Sequence, residues 1–183
     1  MNTEILDKQV IIIDSDKCTL LDNTKLDFNF NLLSPIRNVL YIKIIESYVV
    51  IDGSTINNGI VDNNSSIDNL DSINIKINNY NRIIFINNKN NNSLNEYFDT
   101  ITIDTSKYNT YNFGTNYTFK NDYSTDTDIN SHSMYVLNPI EPSLKRFNIT
   151  VSNNSNTLLD TTKIKRVIIK ICVYTNRMKL TMN

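Results

Sequence analysis

The chain has 183 residues, a formal net charge of −1 and 40% hydrophobic residues. It is long enough to bury a core of its own and too nearly neutral to be drawn as a whole to nucleic acid or an anionic membrane. No segment reaches membrane-spanning length, the N-terminus lacks the basic region and cleavage site of a signal peptide, and Cys18 and Cys172 form neither a disulfide framework nor a metal motif. A soluble protein of a reducing compartment is the expectation. There is no alanine and no tryptophan, only three glycines and three prolines, and long runs of Asn, Ile, Lys and Tyr, which is the imprint of an AT-rich genome. The tract "NNKNNNS" at 87–93 therefore reads as a loop that drifted toward Asn, a residue tolerant of left-handed turns, rather than as a prion-like segment.

Period two recurs along the chain and helical periodicity does not. In "KLDFNFNL", Leu26, Phe28, Phe30 and Leu32 share one face and Lys25, Asp27, Asn29 and Asn31 the other, the pattern of a half-buried strand. Next comes "SPIRNVLYIKIIESYVVID", rich in Ile, Val and Tyr, with Pro35 just ahead of it where a strand tolerates proline; it predicts a long strand, bent or bulged near Glu46. After a polar loop at 52–70, Ile73, Ile75 and Ile77 alternate with Asn74, Lys76 and Asn78, and "NNYN" turns the chain into Ile83–Ile86. "YFDTITIDT" follows the Asn-rich loop with Phe98, Ile101 and Ile103 as its apolar set. A long polar connection then holds one irregular strand around Tyr117–Phe119.

At the end, Phe147, Ile149 and Val151 alternate with Arg146, Asn148 and Thr150, and Val167, Ile169, Ile171 and Val173 run back after an Asn/Ser turn, which predicts a final hairpin. Two prolines in "NPIEP", Pro139 and Pro142, mark a rigid, unpaired connector into the strand Leu144–Val151. Eight or nine short strands without helices point to one antiparallel sandwich over 1–183, with short flexible ends at about 1–8 and 176–183. No internal repeat suggests a solenoid or propeller.

Site chemistry is sparse. The single histidine, His132, stands in the polar stretch "DTDINSHSMY", and metal centres and acyl-transfer triads need more than that. "DTDIN" at 126–130 opens like a calcium loop, but Ser131 stands where the turn glycine belongs and Leu137 where the bidentate Glu belongs. Gly53, Gly59 and Gly114 are isolated, so no phosphate cradle forms, and the four Glu (Glu4, Glu46, Glu96, Glu141) single out no catalytic pair. The sequons at Asn116 and Asn148 follow from the abundance of Asn, and the ten tyrosines suit strands as well as a stacking surface. After Asp160 every charge is basic, from Lys163, Lys165, Arg166 and Lys170 to Arg177 and Lys179; this reads either as the solvated edge of a terminal strand or as a surface for an acidic neighbour. No catalytic, cofactor-binding or metal-ligating residue is assigned, and a protein that acts through its surfaces rather than as an enzyme is the expectation.

The order "IIIDSDKCTLLDNTKLDFNFNLLSPIRNVLYIKIIESYVVI", "INIKINNYNRI", "YFDTITIDTSKY" and "LNPIEPSLKRFNITVSNN", over roughly residues 11 to 174, resembles small capsid proteins of the nucleocytoplasmic large DNA viruses. That family commonly has a glycine in the turn after the late strand, where this chain has "SNNSNT" and Asn153, Asn154 or Asn156 would have to serve. The resemblance implies a single jelly roll of two four-stranded antiparallel sheets, serving as a penton or minor capsid protein of an icosahedral shell in a giant virus or its virophage. It implies assembly in the host cytoplasm into the virion, partnership with the major capsid protein and other capsid proteins, a homopentamer if a penton, and no cofactor. The loops at 52–70, 87–96 and 104–133 and both termini would supply contacts. The alternative reading is a carbohydrate-binding, lectin-like sandwich, suggested by the tyrosines and polar loops.

Overall fold

In the computed structural model of the chain, the described residues are 6–22, 24–52, 56–57, 60–61, 72–81, 83–87, 93–103, 117–125, 133–153, 156–162 and 164–176. Their elements in order are β1 (Leu6–Asp14), a one-turn 3-10 segment (Ser15–Lys17), β2 (Thr19–Leu20), β3 (Asp27–Ile51), β4 (Ile56–Asn57), β5 (Ile60–Val61), β6 (Ser72–Ile77), β7 (Ile83–Asn87), β8 (Ser93–Tyr97), β9 (Asp99–Thr102), β10 (Tyr117–Asp122), β11 (Met134–Ser152) and β12 (Ile164–Asn176). The expected strand around Tyr117–Phe119 is β10. The segments 104–116, "DTDIN" and His132 lie outside the described residues, as do 1–5 and 177–183 of the two ends. β1 begins at Leu6 and β12 ends at Asn176, paired with each other, so part of each stretch expected to be flexible is strand.

All pairings are antiparallel, and the described residues form an all-β fold. One layer is β1-β12-β3-β10, built on the C-terminal half of β3, where β12 pairs from Val39 to Ile51 and β10 from Glu46 to Ile51. The other is β3-β11-β6-β9, built on the N-terminal half, where Asp27–Asn31 face Thr150–Arg146. β2 adds a short stretch beside Phe28 and Asn29. The start of β11 also belongs to the first layer, Met134–Val136 pairing with Lys43–Tyr41, so β11 like β3 runs through both. Apart from that stretch, and counting the halves of β3 separately, each layer has four strands, and the chain passes between layers in jelly-roll order.

The two strands expected on either side of Pro35 are therefore one strand that changes layer. The change is made at paired irregularities. On β3 the register jumps from Asn31 to Ile36, leaving Leu32–Pro35 without partners on β11; on β11 it jumps from Val136 to Glu141, leaving Leu137–Ile140 without partners on β3. Bulges bend a strand and increase its twist, and proline, lacking an N–H, fits where the ladder is broken. Pro35 sits in the first bulge and Pro139, after a cis peptide bond, in the second. "NPIEP" is thus an interruption inside β11, which starts at Met134, and not a connector ahead of a strand at Leu144.

Ile45 is a further extra residue: Lys170 faces Glu46 while Ile171 faces Ile44, the bulge expected near Glu46. The expected terminal hairpin does not form: β11 and β12 are not paired with each other among the described residues. β12 pairs with β1 and β3, whereas β11 pairs with β3 and β6, because the turn at 153–162 carries the chain across from one layer to the other. Asn156 supplies the left-handed conformation of that turn (φ 59°), the role left open among the three asparagines.

The inward faces are the period-two sets read from the sequence. Val167, Ile169, Ile171 and Val173 from one layer meet Phe147, Ile149, Val151, Ile73, Ile75 and Ile77 from the other in a single cluster, all with 0% exposure. Each such side chain contributes about 1.5–3 kcal/mol by leaving water. Asn38 (φ 54°), at the layer change, holds a conformation that a β-branched side chain resists. Asn38→Val should lower the unfolding free energy by about 1–2 kcal/mol in urea titrations, while Asn38→Gly should leave it nearly unchanged.

Candidate interaction surface

Outward from the first layer, alternation places rows of side chains across three strands. Lys8 lies beside Tyr174 and then Tyr41; Val10 beside Cys172 and then Lys43; Ile12 beside Lys170 and then Glu46. Tyr41 and Tyr174 meet edge to face with ring centroids 6.5 Å apart. Between these rows a groove of about 380 Å³ is lined by Lys8, Val10, Lys43, Ile45, Tyr123 and Tyr174, with Cys172 and Ser124. Val10 is 54% exposed and Ile12 59%, although a β-branched side chain normally favours the inner face of a sandwich. The outward face of the second layer has a different character, carrying Lys76, Arg146, Asn148, Thr150 and Thr100, with Asn74 buried.

A second hollow, of about 230 Å³, lies where β6 ends against β11, lined by Asn78, Tyr80, Glu141, Ser143, Arg146 and Asn148 among others. Asn78 accepts the Asn148 amide at 2.7 Å through its side chain and donates its own amide to the Asn148 carbonyl at 2.8 Å. Tyr80 stacks near Tyr135 with centroids 5.3 Å apart and is 8% exposed, so its ring is spent on packing. The hollow is polar rather than aromatic-floored.

Along the β9–β10 margin the two layers are joined by a buried carboxyl. Asp99, 0% exposed, accepts from the Ser47 hydroxyl at 2.5 Å, the Tyr123 hydroxyl at 2.9 Å and the Asn121 side-chain amide at 3.3 Å. Asn121 also donates to the Thr100 carbonyl at 2.7 Å. Ser47 and Asn121 stand on the first layer and Asp99 on the second, so the network fixes the spacing of the layers.

The basic run of β12 lies on an interior strand, not an edge, and its described cations meet acids of this same chain. Lys165 is 2.7 Å from Asp52, Lys170 is 3.5 Å from Glu46, and Arg166 grips Asp14 with Nε–Oδ1 at 2.9 Å and Nη2–Oδ2 at 2.6 Å, with Asp16 at 3.4 Å. Lys163, Arg177 and Lys179 lie outside the described residues. Nothing in the sequence links Asp14 to Arg166, 152 positions apart; the register of β1 on β12 does. Of the stretches expected to make contacts, 52–70 is described at its first residue and in the β4–β5 pair, 87–96 at its two ends, and 104–133 at 117–125, where β10 joins the first layer, and at its last residue. Of the glutamates, Glu46 pairs with Lys170, Glu96 accepts from Asn81 at 2.7 Å, and Glu141 accepts the Ser143 amide at 3.3 Å. Glu4 lies outside the described residues.

The hydrogen bonds from Arg166 hold the Asp14 carboxyl below the usual carboxylate range, against the burial that opposes ionisation. A carboxyl depressed by folding stabilises the native state above its unfolded pKa of about 3.9, and that stability is lost as pH falls through the folded value. Asp27, raised by burial, works in the opposite sense, stabilising only toward low pH. Urea midpoints of the wild type should therefore fall below about pH 4, and Asp14→Asn should show a shallower fall in that window. Equal slopes would contradict the assignment. Burial also pushes the Cys18 thiol up to about 11, and its Sγ donates to the Asp14 carbonyl at 3.1 Å, so it is a poor nucleophile near neutral pH.

Among the described residues no group of three or more His, Cys, Asp or Glu side chains is placed to hold a metal ion. None of them forms a helix long and apolar enough to cross a membrane. No protein-family model and no curated protein matches the chain.

Proposed function

We propose that this protein is a structural component of an icosahedral viral capsid, a single jelly roll serving as a penton or minor capsid protein and working by assembly with the major capsid protein and other capsid proteins in the virion. The observation that supports the reading is the strand order: β1-β12-β3-β10 over β3-β11-β6-β9, the architecture that the resemblance to small capsid proteins calls for. A stiff two-layer wedge, with long strands running continuously through both layers, suits a building block. Exposed apolar side chains at Val10, Ile12, Leu21, Leu33, Val136 and Ile140 give it surface to bury against neighbours. No cofactor enters this mechanism. Mass spectrometry of purified particles should find the chain at a fixed ratio to the major capsid protein; its absence from intact particles would sink the reading.

The carbohydrate-binding alternative draws on the polar hollow beside β11, with Asn78, Glu141, Arg146 and Asn148 as hydrogen-bonding groups. The burial of Tyr80 weighs against a stacking platform there. A glycan array in which the protein binds no sugar above background would remove this alternative.

A further inference from the structure

A sandwich ends in edge strands whose outward N–H and C=O groups are templates for further pairing unless something covers them. At one margin of this fold β9 and β10 are joined through Asn121 and Asp99. β1 is different. Among the described residues it pairs only with β12, over an unbroken register from Leu6↔Asn176 to Asp14↔Ile168 without a bulge. It contains no proline, Leu6–Val10 are exposed, and Ile12 is exposed again. The devices that usually blunt such an edge, namely brevity, proline, bulges or repeated lysines, are reduced here to Lys8.

Alternation puts Lys8, Val10, Ile12 and Asp14 on one face of this strand, the first three exposed and Asp14 buried at its end. That set is complementary to itself when reversed. Laid antiparallel against a second copy with the two-fold axis at Ile11, Lys8 stands opposite Asp14 of the second copy and Val10 opposite its Ile12, and the symmetry makes each contact twice. Shifting the register so that Val10 faces Val10 sets Lys8 against Ile12 and Leu6 against Asp14, and a parallel arrangement sets like charge on like charge. Asp14, 7% exposed, is already ion-paired with Arg166, which also meets Asp16, so the added ammonium joins a four-charge chain rather than meeting a lone carboxylate.

We propose that two copies of this chain associate through their β1 edges, antiparallel about Ile11, so that their first layers become one continuous sheet. The complementarity is of the strand to itself, which selects a second copy over an unrelated chain, and it does not rest on the capsid reading. The dimer extends the outward face that carries the Lys8–Tyr174 groove across the two-fold axis.

Sedimentation equilibrium of the full chain, over rising concentration, tests this. The wild type should approach twice the mass of one chain. Val10→Lys/Ile12→Lys, at two positions each more than half exposed, should keep its far-ultraviolet circular dichroism and sediment at the mass of one chain. Lys8→Glu, which turns two ion pairs into two like-charge contacts, should weaken association by about tenfold or more. A wild type that stays at the single-chain mass up to its solubility limit overturns the proposal. So does an oligomer of any size whose mass Val10→Lys/Ile12→Lys leaves unchanged.

Discussion

Replacing Phe147 by alanine should lower the unfolding free energy by about 3–5 kcal/mol, the largest loss expected from any single truncation described here. Phe147 has 0% exposure and stands opposite Phe30 on the inner face of the second layer, within the cluster that both layers share. A domain of this size has about 5–15 kcal/mol in hand, so the variant should be visibly unstable at ambient temperature. Its neighbour Arg146 points the other way and is exposed. Arg146→Ala should shift the urea midpoint by no more than about 0.5 kcal/mol in equivalent free energy. The contrast between adjacent positions tests the period-two reading of β11 directly, and equal losses at both would refute it.

Asp99→Ala should be the second largest, on the order of 2–3 kcal/mol, because it removes an acceptor and leaves the Ser47 hydroxyl, itself 0% exposed, without that partner. Ser47→Ala removes only one of the donors to Asp99 and should cost less. In a double-mutant cycle the two changes should be strongly non-additive, with the double variant little worse than Asp99→Ala alone. Additive losses would mean that the carboxyl does not join the layers through Ser47.

Much of the architecture was legible because burial writes itself into alternation. The inward sets of β6, β11 and β12 are the residues that period two picks out, and the bulge at Ile45 falls where a long β-branched run needed relief. What failed was pairing. A hairpin between the last two strands is the natural local guess, yet β3 stands between them, since partner choice depends on which layer each strand joins and no local pattern encodes that. The same limit hid the continuity of β3 through Pro35: proline reads as a boundary, and only the matching bulge on β11 shows it to be a bend. Asp14–Arg166 and Asp99–Ser47 were invisible for the same reason, being contacts between segments far apart in sequence. The acid-free C-terminal stretch read either as a solvated strand edge or as a surface for an acidic neighbour because the acids that meet its described cations, Lys165, Arg166 and Lys170, lie elsewhere in the chain.

The proposed role stands on a fold and a surface, so the most direct measurement is a particle reconstruction at a resolution that traces side chains. The account predicts shell density that accommodates this two-layer fold, with the continuous β3 and its Pro35 bulge recognisable, at the five-fold vertex or beneath a facet and in contact with the major capsid protein. A shell in which every vertex and facet density is filled by other chains would contradict it.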